Sequence, residues 1–185
     1  SLRALLAAAG ITMTFLLALL LTAGPHEPPR RAVLVGSNAA IEGRTPLRYA
    51  HHDARAVAEV LTTSGGFAPG DVVVLLDAAP AVVLAALDDA RAALAARREE
   101  GLLVFYYSGH ADQRALFPAG KELPLDQLRA RLSDDAAGVR IGIIDACRGG
   151  GWTRAKGLSP AAPFEVGLPS LSSEGTALLA ASSGL

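Results

Sequence analysis

Leu102-Leu103-Val104-Phe105-Tyr106-Tyr107-Ser108-Gly109-His110 and Ile141-Gly142-Ile143-Ile144-Asp145-Ala146-Cys147-Arg148-Gly149 decide how this chain reads. Each is an apolar run that stops abruptly at small and reactive residues, the pattern of a buried strand followed by a turn. In an open α/β sheet, reactive side chains gather in the crevice beyond the carboxyl ends of the strands. A histidine at one strand end and a cysteine at a neighbouring one can therefore meet, as a thiol nucleophile and its base must. Cys147 is the only cysteine of the chain.

Working outward, the same alternation of strand and helix recurs. Ala32 to Val35 is a short apolar strand stopped by Gly36-Ser37-Asn38. Asp53 to Leu61 carries Ala54, Val57, Ala58 and Leu61 at helical spacing, with Asp53 placed for an N-cap or first turn and Gly65-Gly66 ending the helix. Val72 to Leu76 is wholly apolar and opens with three β-branched valines, which predicts a strand buried on both faces. Ala81 to Arg98 reads as a long Ala/Leu-rich helix. Leu116-Phe117-Pro118 reads as a hairpin edge, Leu125 to Leu132 as a short helix and Thr176 to Ala181 as a further strand. Gly149 to Ser173 is a Gly-, Pro- and Ser-rich loop, long enough to be functional or disordered. This alternation predicts a three-layer α/β/α sandwich with a mostly parallel sheet. The pattern stops just after a strand, so the domain is expected to continue past Leu185, where a further domain has room to follow.

Composition bounds the function classes. A chain of 185 residues can hold one domain with a sizeable core and an appendage. A formal net charge of −1 offers no basic surface for nucleic acid. A single cysteine excludes an internal disulfide and a Cys-rich zinc site, and no metal site is expected. The hydrophobic excess is local: Ala4 to Gly24 is uncharged, and as a helix it would reach about 30 Å, the depth of a bilayer core. Residues 1–24 thus read as a single-pass membrane anchor or a cleavable signal segment, 25–30 as a stiff Pro-rich linker and 31–185 as the globular domain. The length of the apolar run and the poor cleavage site at Leu21-Thr22-Ala23 favour the anchor over a secreted or periplasmic product.

The residue chemistry is that of nucleophilic catalysis. Cys147 needs a base, exposure and donors for an oxyanion. His110 supplies the first, the strand-end position the second, and backbone N–H groups at Cys147 and beside His110 the third. Taken alone, a lone cysteine after a strand is more often a small buried hydrophobe, and Asp53 more often a helix cap. His51 and His52 precede the first helix and have no strand-end geometry. Asp145 and Asp53 can instead line a pocket for a cationic side chain, unless Arg48 or Arg148 neutralises them.

Four segments in order carry a resemblance. They are Ala32-Val33-Leu34-Val35-Gly36-Ser37-Asn38, His52-Asp53-Ala54, Phe105-Tyr106-Tyr107-Ser108-Gly109-His110 and Asp145-Ala146-Cys147-Arg148-Gly149-Gly150. From about Arg31 onward the chain resembles the caspase-like cysteine peptidases, most nearly the bacterial members related to metacaspases. The resemblance implies a caspase-like fold in which Val72–Leu76 lies at one edge and the first strand pairs with the third. It implies His110 and Cys147 as the catalytic dyad and the backbone of Ala111 and Cys147 as oxyanion donors. It also implies Asp53, Ser108 and Asp145 as the pocket for the residue before the scissile bond, hence cleavage after Arg or Lys. No cofactor is implied, and no oxygen-ligand loop for calcium is recognisable.

Three departures from that pattern matter. Ala111 stands where the family has glycine, and alanine accepts a positive φ poorly. Arg148-Gly149-Gly150 follows the cysteine where metacaspases have His-Ser-Gly. The final antiparallel strand and helix of the family have no counterpart before Leu185. Arg154 and Lys156, in the loop after Cys147, would suit self-cleavage by a basic-specific enzyme. The leading expectation is a membrane-tethered cysteine endopeptidase acting on protein or peptide substrates. A caspase-fold adaptor with lost catalysis is the rival reading. A nucleotide-binding domain is set aside, because neither Gly-x-Gly-x-x-Gly nor a P-loop lysine is present.

Overall fold

A computed structural model describes residues 27–97, 101–133, 138–146 and 176–181. Five parallel strands form the main sheet: β1 (Arg30–Gly36), β2 (Val72–Leu76), β3 (Leu102–Ser108), β6 (Val139–Asp145) and β7 (Thr176–Ala181), in the order β2-β1-β3-β6-β7. Helices α1 (Ala50–Thr63), α2 (Pro80–Ala95) and α3 (Leu125–Leu132) cover the sheet. A two-stranded antiparallel pair, β4 (Ala115–Leu116) and β5 (Leu123–Pro124), sits between β3 and α3 in the chain.

The period of two along the strands sorts the side chains onto two faces. Val33, Val35, Leu103, Phe105 and Tyr107 pack with Val83 and Leu87 of α2 and Leu128 and Leu132 of α3. The alternate residues Ala32, Leu34, Val104 and Tyr106 pack with Ala54 of α1 and with Phe67, against which Val57 and Leu61 also lie. Helices on both faces give the three layers that the alternating pattern predicts. The expected pairing of the first and third strands is present, Val33 opposite Phe105 and Gly36 opposite Ser108.

Three elements differ from their sequence reading. β2 is an edge strand and is only half-buried, with Val73 41% exposed, so burial on both faces does not hold. A strand's composition does not distinguish an edge that one helix shields from a strand flanked on both sides. α1 begins at Ala50, ahead of Asp53, because the Asn38 side-chain carbonyl accepts the Ala50 N–H at 3.1 Å. That cap comes from the far end of the connecting loop, twelve residues upstream, and leaves no local signature. β1 starts at Arg30, and Pro29 already accepts the Leu102 N–H at 2.8 Å, so the end of the Pro-rich stretch belongs to the fold.

The chain leaves β1 towards β2 on one side and returns to β3 on the other. β1 and β3 therefore flank a topological switch point, where α/β sheets place their ligands. Gly36 closes β1 there. A Cβ at this position would lie 2.4 Å from the Ala50 carbonyl, so only glycine lets the start of α1 settle onto the strand end. The apolar residues 4–24 lie outside the described residues. Among the described residues, no helix is long and apolar enough to cross a membrane.

Candidate active site

Side-chain parity brings the acids together. Ser108 shares the α1 face of β3 with Tyr106, and Asp145 is its register partner on β6, following Ile141 and Ile143 on that same face. Asp53 reaches the pair from the first turn of α1. The Ser108 hydroxyl donates to Asp53 Oδ2 at 3.1 Å. Burial pushes the Asp145 carboxyl above its usual range, the Asp53 carboxylate pushes it further, and a hydrogen bond from Tyr106 opposes both. Asp53, Ser108 and Asp145 thus form one cluster, and neither carboxylate has a salt bridge among the described residues. Arg48 is exposed and is not among the groups acting on Asp145.

His110 lies just beyond β3 and is fully buried. Its Nε2 is 2.9 Å from the Thr45 carbonyl. A carbonyl only accepts, so Nε2 carries the proton and Nδ1 of the neutral ring keeps its lone pair. Nδ1 is buried and has no hydrogen-bond partner among the described residues. Burial is the main influence holding the imidazole below its ordinary pKa; the Thr45 bond opposes it and the Arg44 charge adds to it. The site therefore contains an oriented, neutral imidazole whose Nδ1 is unpartnered among the described residues.

The backbone around this ring is held from below. Tyr107 points to the opposite face from Tyr106, and its hydroxyl donates to the His110 carbonyl at 2.7 Å. The same hydroxyl accepts the Phe117 N–H at 3.1 Å. Desolvation keeps the phenol protonated far above its ordinary value. Gly109 is required by this arrangement, since a Cβ there would lie 2.4 Å from the Tyr107 hydroxyl. The Gly109 N–H donates to the Asp145 carbonyl at 3.3 Å, which ties the segment bearing His110 to the end of β6.

Ala111 removes one concern raised by its identity. It is not among the residues with positive φ, so alanine is not strained where the related pattern has glycine. It is buried, and its carbonyl accepts Arg44 Nη1 at 2.9 Å. Thr45 and Arg44, like Tyr107, were invisible as site residues in the sequence. The loop 37–49 has no periodic pattern, and Thr45 acts through its main chain.

His51 is placed elsewhere, with Nε2 2.7 Å from Asp77 Oδ2 at the end of β2. Asp77 Oδ1 in turn accepts the Ser37 hydroxyl and the Asn38 and Ala39 N–H groups. Gly36-Ser37-Asn38 is thereby accounted for as a turn anchored by Asp77. Cys147, Arg148, Arg154 and Lys156 lie outside the described residues, as does the loop that follows Cys147. Among the described residues, no group of three or more His, Cys, Asp or Glu side chains could hold a metal ion.

A family model described as a caspase domain matches residues 29–182. A search of curated proteins by sequence finds no match. Among solved structures, that of pro-sf-caspase-1 superposes with a TM-score of 0.57 at 16% identity, over 86% of this chain and 62% of the other. The likeness at that identity is one of fold, and the chain spans less than two thirds of that relative's length.

Proposed function

The chain belongs to the caspase-domain family, and on that premise we propose that it is a cysteine endopeptidase working through Cys147 and His110 and cleaving after Arg or Lys. The observation that carries the reading is the state of His110: neutral, locked through Nε2–H to Thr45, with Nδ1 unpartnered among the described residues. A histidine arranged so is poised to accept a proton at one atom. That weighs against a scaffold that has lost its catalysis.

In the proposed reaction the Cys147 thiol gives its proton to His110 Nδ1 as sulfur bonds to the scissile carbonyl carbon. The carbonyl π pair moves to oxygen, and the N–H groups of Ala111 and Cys147 stabilise the resulting oxyanion. Collapse breaks the C–N bond, and His110 protonates the departing amine. Water then adds to the thioester and gives a proton to His110, and the acid product leaves as that proton returns to sulfur. The Gly109–Asp145 hydrogen bond supports this assignment, because it holds the residue before His110 against the strand end that leads into Cys147.

Asp53 and Asp145 support the basic preference. Two carboxylates that repel one another gain most from a guanidinium or ammonium placed between them. The experiment is turnover of matched fluorogenic peptides ending in Arg, Lys or Asp by the full-length protein; equal rates on Arg and Asp peptides would remove the preference. Residues 4–24 support a membrane anchor for the domain. Recovery of full-length protein in the aqueous fraction after carbonate extraction of membranes would overturn that placement.

A further inference from the structure

The pairing around Ala111 leaves its peptide groups turned away from β4. Ala111 bridges Leu116, and the flanking hydrogen bonds run from the Phe117 N–H to the His110 carbonyl and from the Asp112 N–H to the Ala115 carbonyl, both 2.9 Å. In antiparallel pairing the residue between two such bonds directs its own N–H and C=O to the other side. Of these two groups at Ala111, the carbonyl is taken by Arg44, and the N–H has no partner among the described residues.

Arg44 is an unusual partner for that carbonyl. It is half-buried, and it forms no salt bridge among the described residues. A partly desolvated cation without a counter-ion is unfavourable for stability, but becomes favourable beside a site where negative charge develops. Its neighbour Thr45 supplies the carbonyl that fixes the His110 ring. Consecutive residues of one loop thus grip consecutive residues of another, Arg44 on Ala111 and Thr45 on His110. The turn that presents them is closed by the Arg44 N–H on the Ile41 carbonyl at 2.9 Å, with Gly43 at φ +72°.

We infer that Arg44 is a positioning residue of the catalytic centre, holding the Ala111 N–H at the oxyanion site while Thr45 holds the base. The inference rests on the endopeptidase reading above. It extends that reading to a loop with no catalytic side chain of its own, and explains how an alanine serves after the histidine. The link is a single hydrogen bond rather than a bidentate fork, so a lysine retains both donor and charge.

The test compares Arg44→Gln and Arg44→Lys with the unaltered full-length protein. Measured are kcat and KM on an Arg-terminated fluorogenic peptide, inhibition by a peptidyl-arginine aldehyde, and alkylation of Cys147 by iodoacetamide. The aldehyde adduct carries the oxyanion; alkylation forms none. Arg44→Gln is expected to lower kcat about tenfold with KM changed by less than about twofold. It should weaken aldehyde inhibition by a similar factor and leave alkylation within about threefold of normal. Arg44→Lys should recover most of the loss. An active parent protein with unchanged kcat and aldehyde inhibition in Arg44→Gln overturns the inference alone. Parallel loss of alkylation, KM and melting temperature in Arg44→Gln, without recovery by lysine, assigns Arg44 a purely structural role and also overturns it. A parent protein that cleaves no peptide overturns the endopeptidase reading, and the inference falls with it.

Discussion

The Tyr107 hydroxyl donates to the main-chain carbonyl of His110 at 2.7 Å, folding back beneath Gly109 to reach the residue three positions later. One buried phenol thereby sets the level of the segment that carries His110, the proposed base. Removing it in Tyr107→Phe leaves a buried acceptor with one donor fewer, at a cost of about 1–2 kcal/mol. The Phe117 N–H still holds the His110 carbonyl, so the fold survives. Activity is expected to fall about tenfold in kcat with little change in KM, read from steady-state kinetics beside a thermal melt.

Gly109→Ala attacks the same relationship from the other side. The added methyl would lie 2.4 Å from the Tyr107 oxygen and 2.6 Å from the ring carbon that bears it. Overpacking of this kind costs on the order of 2 kcal/mol. Tyr107→Phe removes the oxygen but not the ring, so the double variant should recover only part of the loss. A double-mutant cycle on denaturation midpoints measures the coupling, and full additivity would show that the two residues do not meet as described.

The strands were legible in the sequence from their own residues, whereas the grouping of Asp53, Ser108 and Asp145 came from the resemblance. Buried parallel strands such as Leu102–Ser108 read as continuous apolar runs, and their ends announce the crevice. The register of β3 and β6 in the structure then places Ser108 and Asp145 on one face. Arg44, Thr45 and Tyr107 were not legible. Thr45 contributes a carbonyl that any residue owns, Arg44 is one of 17 basic residues, and Tyr107 looks like core. The early start of α1 escaped for a related reason, its cap being the amide of Asn38, twelve positions away in the chain.

The state of His110 predicts a pH dependence of definite sign. Burial holds its folded pKa below the ordinary value near 6.5. Between those two values the unfolded chain binds more protons than the folded one, so stability falls as pH falls through 6.5 and levels off below the folded pKa. Urea midpoints taken across that window should drop, and the drop should shrink in His110→Gln. The base must be neutral to act, so the acid limb of kcat/KM should lie below the usual histidine range. A limb above it would contradict the assignment.

Asp145 behaves in the opposite sense. Its folded pKa is raised, first by burial and then by Asp53. Between its ordinary and raised values the folded state holds more protons, so stability falls as pH rises through that window. Asp53→Asn removes one of the two repelling charges and should leave the melting temperature at pH 7 unchanged or slightly higher. The same change should cut kcat/KM on Arg-terminated peptides about a hundredfold, mainly through KM, the loss expected when a buried charge partner is removed. Ser108→Ala, which deletes only the 3.1 Å bond to Asp53, should cost about threefold.

In the proposed function Cys147 and His110 cleave peptide bonds after basic residues. The most direct measurement is kcat/KM for the full-length protein and its Cys147→Ala variant on peptides that differ only in the residue before the reporter: Arg, Lys or Asp. Expected are turnover of the Arg and Lys peptides, at least about tenfold slower turnover of the Asp peptide, and a fall of about a thousandfold or more in Cys147→Ala. Turnover that survives in Cys147→Ala, or its absence on all three peptides, would contradict it.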